Sequence, residues 1–391
     1  MKYHFANLAI ICLLALSAGC KKKTDIEFIK PDKPIPVTYK SSKDNLGAIL
    51  KNAAGKPEVF TVNATTGGKF TSSKGITYTI DPEIFIKPNG QTAEGNVNVA
   101  VSEITKASEM ILNDMPTNAI ITPQDSASQD SIKNPKLKEQ GGMLNSFGEI
   151  KVEAKQNEEK LELKPGEEIK VEIPQVAVPE PIIPLISVPI WDTRPVKQQI
   201  LGRDPENSEV TIEATGDAEV QTGIEWVKAP QVCQYKANNA IPSLSFEIPK
   251  LNVWRNCDVL VSYPRNTTVL GYFTNVFNNE ADSLDRYNGK IQPNLLFFKK
   301  KGDNTLIHLY NHIRNAPNDK KGFLSYQDSF GMGMEGIFLA LVNKDGKFYA
   351  EKKAVTIGEP VSGKTYFGVN FTLSEVTENQ MLSLIESMNN E

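Results

Sequence analysis

The stretch from residue 75 to residue 101, GITYTIDPEIFIKPNGQTAEGNVNVAV, contains the pattern on which the fold class depends. Apolar and polar residues alternate at Ile76–Ile80 and again at Asn96–Val101, which is typical of β-strands with one buried face. Asp81-Pro82 ends the first run, and Pro88-Asn89-Gly90 indicates a turn before the second. The stretch therefore predicts two strands separated by turns.

Strand and turn signals continue on both sides of this stretch. Further strands are predicted at Val59–Val62, Ile150–Ala154, Leu161–Leu163 and Ile169–Ile173. A short helix is predicted over Lys106–Asn113, and a polar loop over Thr122–Gln140. Strands that recur roughly every 8–12 residues between such turns are typical of a β-sandwich. We expect one such domain over residues 57–173.

The second half of the chain repeats the pattern and ends in a helix. Its predicted strands are Ile224–Val227, Ser243–Ile248, Asp258–Ser262, Val269–Phe273, Leu295–Lys299, Leu306–His312, Ile337–Val342 and Phe348–Ala350. Asp345-Gly346 predicts a hairpin between the last two. The C-terminal helix is predicted to be capped by Thr372 or Ser374 and to pack through Met381, Leu384, Ile385 and Met388.

A proline-rich stretch at residues 174–195 separates the two halves. It contains six prolines but also many apolar residues, whereas flexible linkers are polar. Two interpretations remain open: the stretch packs in extended form against a domain, or it serves as a groove ligand or strand for a partner. The predicted fold class is therefore all-β, mainly β-sandwich, with a short C-terminal helix. We expect two domains, 57–173 and 196–391, joined by this linker.

The composition excludes several classes of protein. The chain has 391 residues, 40% of them apolar and 23% charged, which fits neither a disordered chain nor a multi-pass membrane protein. The formal charge is -4, so no basic excess indicates a nucleic-acid partner. With only three His and four Cys, the chain has few of the side chains that metal and nucleophile chemistry require.

The first residues predict an anchor. Lys2 precedes the apolar stretch Leu8–Leu16, which is too short to span a bilayer and ends in Leu16-Ser17-Ala18-Gly19-Cys20. This ending resembles the lipobox of bacterial lipoproteins. The resemblance implies cleavage after residue 19, a lipid thioether on Cys20 and acylation of the new amino terminus. Residues 20–56 would then form a lipidated tether. The alternative is an ordinary signal peptide with a chance cysteine.

The residues after Cys20 bear on the location. An Asp directly after the lipidated Cys resembles the inner-membrane retention signal of enterobacteria, but residue 21 here is Lys. Acidic residues at this place resemble the surface-export signal of Bacteroidetes lipoproteins, but the run Lys21-Lys22-Lys23 is basic. We therefore expect an outer-membrane lipoprotein on the periplasmic face, with the cell surface as the second choice.

Several stretches resemble uncharacterised Bacteroidetes lipoproteins with a ZU5-type β-domain. Gly75–Pro82, Gly90, Gly95 and Val97–Val101 look like the first half of such a domain, and Gly141-Gly142-Met143 precedes the next strand as in that group. The resemblance implies a β-sandwich that acts as a protein-interaction module. Some ZU5-type domains cleave themselves at His-Phe-Ser. Asn145-Ser146-Phe147 is the nearest element here and lacks the His, so that chemistry does not transfer.

Two cysteines remain after the anchor. Cys233 and Cys257 would lie in an oxidising compartment, where they either form a disulfide or stay as buried thiols. Cys257 belongs to Leu251–Asp258, which resembles a segment of the same lipoprotein group: an aromatic residue, then Asn-Cys-Asp. The aromatic residue, Trp254, is predicted to be a core residue.

No motif assigns a catalytic residue, a metal site or a cofactor. His308 and His312 are four residues apart, but they fall on a predicted strand, which would separate them by about 13 Å. Gly331, Gly333 and Gly336 have dinucleotide-motif spacing, but a predicted strand follows where that motif needs a helix. We read this segment as a flexible loop.

Two classes of function remain after this survey. We expect a non-enzymatic, lipid-anchored envelope protein that binds a protein or glycan or serves as an accessory subunit of an outer-membrane complex. The alternative is a periplasmic or surface hydrolase that acts on glycan through two dispersed carboxylates.

Overall fold

The computed structural model describes residues 46–121, 140–174, 187–197, 200–201, 221–236, 242–278, 294–313, 321–360 and 362–390. Strands make up 57% of the structure and helices 11%. The prediction of an all-β, sandwich-type fold with a short C-terminal helix is therefore confirmed.

The first part of the chain contains two helices and ten strands among the described residues. They are α1 (Leu46–Ala53), β1 (Glu58–Asn63), β2 (Gly68–Thr71), β3 (Thr77–Ile80), β4 (Phe85–Ile86), β5 (Asn96–Ile104), α2 (Ala107–Asn113), β6 (Asn118–Ile121), β7 (Gln140–Gln156), β8 (Glu159–Lys160), β9 (Glu162–Leu163) and β10 (Ile169–Pro174).

The rest of the chain adds strands up to the C-terminal helix. They are β11 (Ser187–Lys197), β12 (Ile200–Leu201), β13 (Gln221–Lys236), β14 (Ser243–Ile248), β15 (Trp254–Leu260), β16 (Asn266–Phe273), β17 (Asn294–Lys300), β18 (Leu306–His308), β19 (Asn311–Ile313), β20 (Lys321–Leu324), β21 (Phe330–Gly331), β22 (Glu335–Lys344), β23 (Lys347–Thr356), β24 (Tyr366–Phe371) and β25 (Ser374–Val376). Helix α3 (Glu378–Glu386) follows, extended by a 3₁₀ turn at Ser387–Asn390.

The largest sheet curls around its own apolar core. Its main strand order is β1-β5-β7-β15-β11-β13-β14-β10-β3-β2, with β6 and β8 beside β7. At the two ends of this order, the rings of Phe60 in β1 and Phe70 in β2 stack 4.2 Å apart. Alternate residues such as Val97, Val99 and Val101 point into the core, as their sequence pattern predicts.

This sheet crosses the predicted domain boundaries. It combines strands from the predicted first domain, from the linker and from the predicted second domain, because β11 pairs with β13 on one side and β15 on the other. Prolines are tolerated within a sheet at bulges, and the β11–β13 register shifts next to Pro189 and Pro195. The described part of the proline-rich stretch is therefore an inner strand and not a spacer. Residues 175–186 lie outside the described residues.

A five-stranded sheet lies next, and its inner strands β17 and β22 are buried on both faces over most of their length. Its order is β18-β17-β22-β23-β25. In β17, Leu295 and Phe297 belong to the core shared with the large sheet and the helices, while Leu296 and Phe298 belong to the core on the opposite side. That second core is completed by strands β16, β20 and β24 of a six-stranded sheet. The body is thus a stack of three sheets, and the continuous apolar run of β17 follows from its middle position.

Helix α1 corrects the predicted extent of the tether. Leu46, Ile49 and Leu50 are buried in the core between the large and the five-stranded sheets. The predicted tether, residues 20–56, therefore ends in a helix that belongs to the body. Leu46, Ile49 and Leu50 have the spacing of three and four residues that is typical of a helix. The prolines farther upstream favoured an extended tether over this local pattern.

The predicted C-terminal helix is present, but it begins later than expected. Thr377 is the N-cap and forms a capping box with Gln380. Thr372 and Ser374 do not cap it, because Ser374 pairs with Ala350 in the sheet. The predicted packing face is correct at Met381, Ile385 and Met388, which are buried, while Leu384 is half-buried.

Two other local predictions had different outcomes. Asp345 and Gly346 form the predicted two-residue hairpin with φ of 54° and 75°, a backbone that Asp-Gly favours. Leu306–His312 is two strands and not one, because the chain leaves the five-stranded sheet after His308 and enters the six-stranded sheet at Asn311. The predicted helix at Lys106–Asn113 is α2, and the predicted loop at Thr122–Gln140 lies, up to residue 139, outside the described residues.

Candidate functional site

Two sequence segments that the resemblance singles out meet in the large sheet. Asn145-Ser146-Phe147 lies on β7 and Asn256-Cys257-Asp258 on the adjacent β15, where Asp258 pairs with Ser146. The backbone N–H of Phe147 donates to Asp258 Oδ1 at 3.1 Å, and the side-chain amide of Asn256 donates to Asp258 Oδ2. A bulge between Asn256 and Asp258 places both side chains in one polar cluster.

Glu149 is the unusual member of this cluster. It lies between Ile104 of β5 and Asn256 of β15, and cross-strand partners share a face of the sheet. Ile104 belongs to the core beneath the helices, so the Glu149 carboxylate points into that core. The side chain is 0% exposed, and neither carboxylate oxygen has a hydrogen-bond partner among the described residues.

The environment disfavours the charged forms of both acids. Burial raises the pKa of Glu149 well above its ordinary value, and the negative charges of Asp258 and Glu109 raise the same pKa further. Burial also raises the pKa of Asp258, against hydrogen bonds from Phe147, Ser146 and Asn256 that lower it. Asp258 is likewise 0% exposed, so neither carboxyl group is in contact with solvent.

The turn after β17 holds the cluster against the middle sheet. The backbone N–H of Asn304 donates to Asn145 Oδ1 at 3.0 Å, and its side-chain amide donates to Thr105 O at 3.1 Å. The indole of Trp191, on β11, donates to Asp258 O at 3.1 Å. Hydrogen bonds therefore connect the cluster to elements of two sheets.

The glycines before this cluster have a packing role. A Cβ atom at Gly141 would overlap the side chain of Tyr326, and one at Gly142 would overlap Ile121. Tyr326 in turn donates through its hydroxyl to Glu225 Oε2 at 2.7 Å, and Arg194 pairs with Glu225 Oε1 at 2.6 Å. The Gly-Gly step thus allows β7 to pass close to a buried polar network.

The structure places Cys233 and Cys257 in a disulfide within the core of the large sheet. Their Cα atoms are 6.2 Å apart, inside the range that a bridge requires. The two cysteines lie on β13 and β15, so the bridge joins the two strands that flank β11. Cys20, the predicted lipidation residue, lies outside the described residues.

The remaining candidates are not brought together. His308 is buried and its Nδ1 lies 3.2 Å from Asp114 Oδ1, while His312 is in another sheet. In the described part of the chain, no three His, Cys, Asp or Glu side chains are grouped so that they could hold a metal. A strand follows the glycines, as the sequence predicts, but the segment is not a loop throughout, because Gly331 lies in β21 and Gly336 in β22 with a short turn between them. Trp254 is half-buried at the edge of the core, with Lys151 Nζ 5.5 Å from its ring.

Sequence reasoning did not identify Glu149. It precedes Ile150, Val152 and Ala154, which alternate toward the sheet's own core, so Glu149 falls on the face that is usually solvated. The alternation gives no indication that the helices and the five-stranded sheet cover this face. The one local signal is the Asn-Cys-Asp segment, whose Asn256 is the direct neighbour of Glu149.

Within the described ranges, none of the helices has both the length and the apolar character needed to cross a membrane. Comparison of the chain with protein-family models, with curated proteins and with solved structures found no match.

Proposed function

We propose that this chain is a lipid-anchored protein of the bacterial outer membrane whose β-sandwich body binds a protein or glycan, or acts as an accessory subunit of an envelope complex, without catalysing a reaction. The observation that carries the proposal is the sequence Leu16-Ser17-Ala18-Gly19-Cys20 at the end of a short apolar stretch. Two or more acyl chains suffice for stable membrane attachment. The resemblance to ZU5-type interaction modules supports the binding role.

The position of α1 determines which part of the protein a lipid on Cys20 would hold at the membrane. Three apolar side chains of α1, Leu46, Ile49 and Leu50, are buried in the core of the body. A chain that leaves Cys20 therefore reaches a helix that is packed into the body, and a lipid on Cys20 would restrain the whole stack of sheets.

The buried acids bear on the hydrolase alternative. A glycosidase needs two carboxyl groups that flank an accessible glycosidic bond. Glu149 and Asp258 are neighbouring carboxyl groups, but both are 0% exposed, so a glycan chain does not reach them. Glu149 and Asp258 are therefore not the catalytic carboxyl groups that a hydrolase would require.

The anchor is tested with Cys20→Ala and a matched control, Cys12→Ala. We expect Cys20→Ala to abolish labelling by radioactive palmitate and to release the protein from the outer-membrane fraction. Cys12→Ala, which lies upstream of the cleavage site, should leave both unchanged. Labelling that survives Cys20→Ala contradicts the anchor.

The face of the membrane is tested by adding proteinase to intact cells. Because the run after Cys20 is basic and not acidic, we expect the body to be protected together with a periplasmic control protein. Digestion while that control survives would place the body on the cell surface.

The binding role is tested by crosslinking intact envelopes that carry either the wild-type chain or Cys20→Ala, followed by mass spectrometry. We expect a crosslinked partner that depends on the anchor. Release of new reducing ends from envelope glycan by the purified protein would contradict the non-catalytic role and favour the hydrolase.

A further inference from the structure

Four buried side-chain oxygens of the described residues have no hydrogen-bond partner, and three of them belong to two neighbouring residues. These three are the two carboxylate oxygens of Glu149 and the side-chain amide oxygen of Asn256, and the fourth is Thr305 Oγ1. Glu149 and Asn256 are both 0% exposed, and they are direct cross-strand neighbours on one face of the sheet. Buried polar atoms are nearly always paired, so a group of three unpaired acceptors requires an explanation.

The charges that act most strongly on Glu149 have one sign. The charged side chains that act on Glu149 are Asp258 and Glu109, and both are carboxylates. Lys74 pairs with Glu109 at 2.7 Å, which compensates that charge. Glu149 and Asp258 remain as two acidic groups in the interior, and a buried carboxyl group takes up a proton, is paired with a positive charge or coordinates a metal.

A single proton does not satisfy the three oxygens. If Glu149 were protonated, its hydroxyl could donate to the amide oxygen of Asn256, but the second carboxylate oxygen would still lack a donor. A bound cation would take oxygens from both side chains as ligands, because Glu149 and Asn256 are direct cross-strand partners. It would also offset the negative charge of Asp258, which Asn256 contacts through its amide nitrogen.

We infer that Glu149, Asn256 and Asp258 form a buried site for one divalent cation of the calcium class. All the available ligand atoms are oxygens, which hard cations such as Ca²⁺ prefer over softer metals. Two carboxylates match the charge of a divalent ion. The third ligand is the amide oxygen of Asn256. The site is therefore compatible with the absence, among the described residues, of any metal-binding group of three His, Cys, Asp or Glu side chains. The cation would crosslink β7 and β15 beneath the helices.

The inference is tested on the full-length lipoprotein, purified in detergent, by elemental analysis and thermal unfolding. We expect calcium to remain bound after dialysis against metal-free buffer and to be removed by EDTA. Adding CaCl₂ at about 100 times its Kd should raise Tm by roughly 3 °C, as expected for a protein of this size. No bound metal together with equal Tm values in CaCl₂ and EDTA would overturn the inference.

Variants locate the site. Glu149→Gln removes one carboxylate and keeps the side-chain volume, and we expect it to abolish the calcium-dependent rise in Tm. Glu335→Gln is the matched control, because Glu335 is an exposed carboxylate paired with Lys301 at 2.9 Å, and its rise should equal that of the wild type. A calcium-dependent rise that persists in Glu149→Gln would show that the ion binds elsewhere and would overturn the assignment.

Discussion

The indole nitrogen of Trp191 donates a hydrogen bond to the backbone carbonyl oxygen of Asp258 at 3.1 Å. Trp191 belongs to the proline-rich stretch, and Asp258 belongs to the buried polar cluster on β15. The bond therefore connects the predicted linker to the candidate site, and the ring of Trp191 packs in the core between the large and the five-stranded sheets.

Trp191→Phe should destabilise the body. It removes the hydrogen bond to Asp258 and part of a fully packed ring, so we expect a loss of about 2 kcal/mol in the free energy of unfolding. The control is Trp254→Phe, because Trp254 is half-buried, and its loss should stay below about 1 kcal/mol. Urea denaturation followed by circular dichroism compares the two. Equal losses would mean that Trp191 has no special role.

The disulfide between Cys233 and Cys257 should stabilise the large sheet. The two residues are 24 apart in sequence, and closing a loop of that length stabilises a fold by about 3 kcal/mol. Cys233→Ala, Cys257→Ala and the double variant should lose similar amounts of stability, because each one breaks the same bond. Losses that add up in the double variant, or two titratable thiols in the unreduced unfolded protein, would show free cysteines instead.

Helix α1 should be part of the folded body and not of the tether. Leu50 is 0% exposed, so Leu50→Ala should cost about 2–5 kcal/mol through the lost burial and the cavity. Lys51→Ala, in the same helix but exposed, should change stability by less than about 0.5 kcal/mol. Chemical denaturation of the full-length protein measures both. A Leu50→Ala variant as stable as the control would show that residues 46–53 do not contribute to the folded body and belong to the tether.

The sequence predicts those features that depend on local pattern. Alternation places Val97, Val99 and Val101 in the core, and Asp345-Gly346 forms its hairpin, because both follow from backbone geometry over a few residues. The inner position of β11 could not be predicted, since it depends on pairing with β13 and β15, which follow later in the chain. Pro189 and Pro195 argue locally against a strand, and only the bulges beside them make one compatible with the sheet.

The same limit applies to the candidate site. Asn256 and Asp258 lie in a segment that the sequence singles out, but Glu149 is distant in the chain and has the polar position of an ordinary amphipathic strand. Its burial results from tertiary packing, because helices from both ends of the described chain and the five-stranded sheet cover that face of β7. A carboxylate in such a place also makes stability depend on pH.

In metal-free buffer, the stability of the body should fall as the pH rises above about 4.3, the ordinary pKa of a glutamate in an unfolded chain. Burial raises the pKa of Glu149 in the folded state, so in this range the folded protein binds more protons than the unfolded one. Each such group then lowers the free energy of unfolding by up to about 1.4 kcal/mol per pH unit until its folded-state pKa is passed. Asp258, whose pKa is also raised, contributes with the same sign from its own lower starting value.

Glu149→Gln should remove the Glu149 share of this dependence and should be more stable than the wild type at pH 7 in EDTA. The reason is that a neutral amide carries no penalty for burial as an ion, and its N–H group can donate to the amide oxygen of Asn256. Urea denaturation between pH 4 and pH 8 measures the slope for both proteins. Glu335→Gln is again the control, because the pKa of Glu335 is lowered by Lys301 and this exposed ion pair adds little to stability. Equal slopes of the unfolding free energy against pH for wild type and Glu149→Gln would contradict this prediction. They would show that Glu149 has the same pKa in the folded and the unfolded protein.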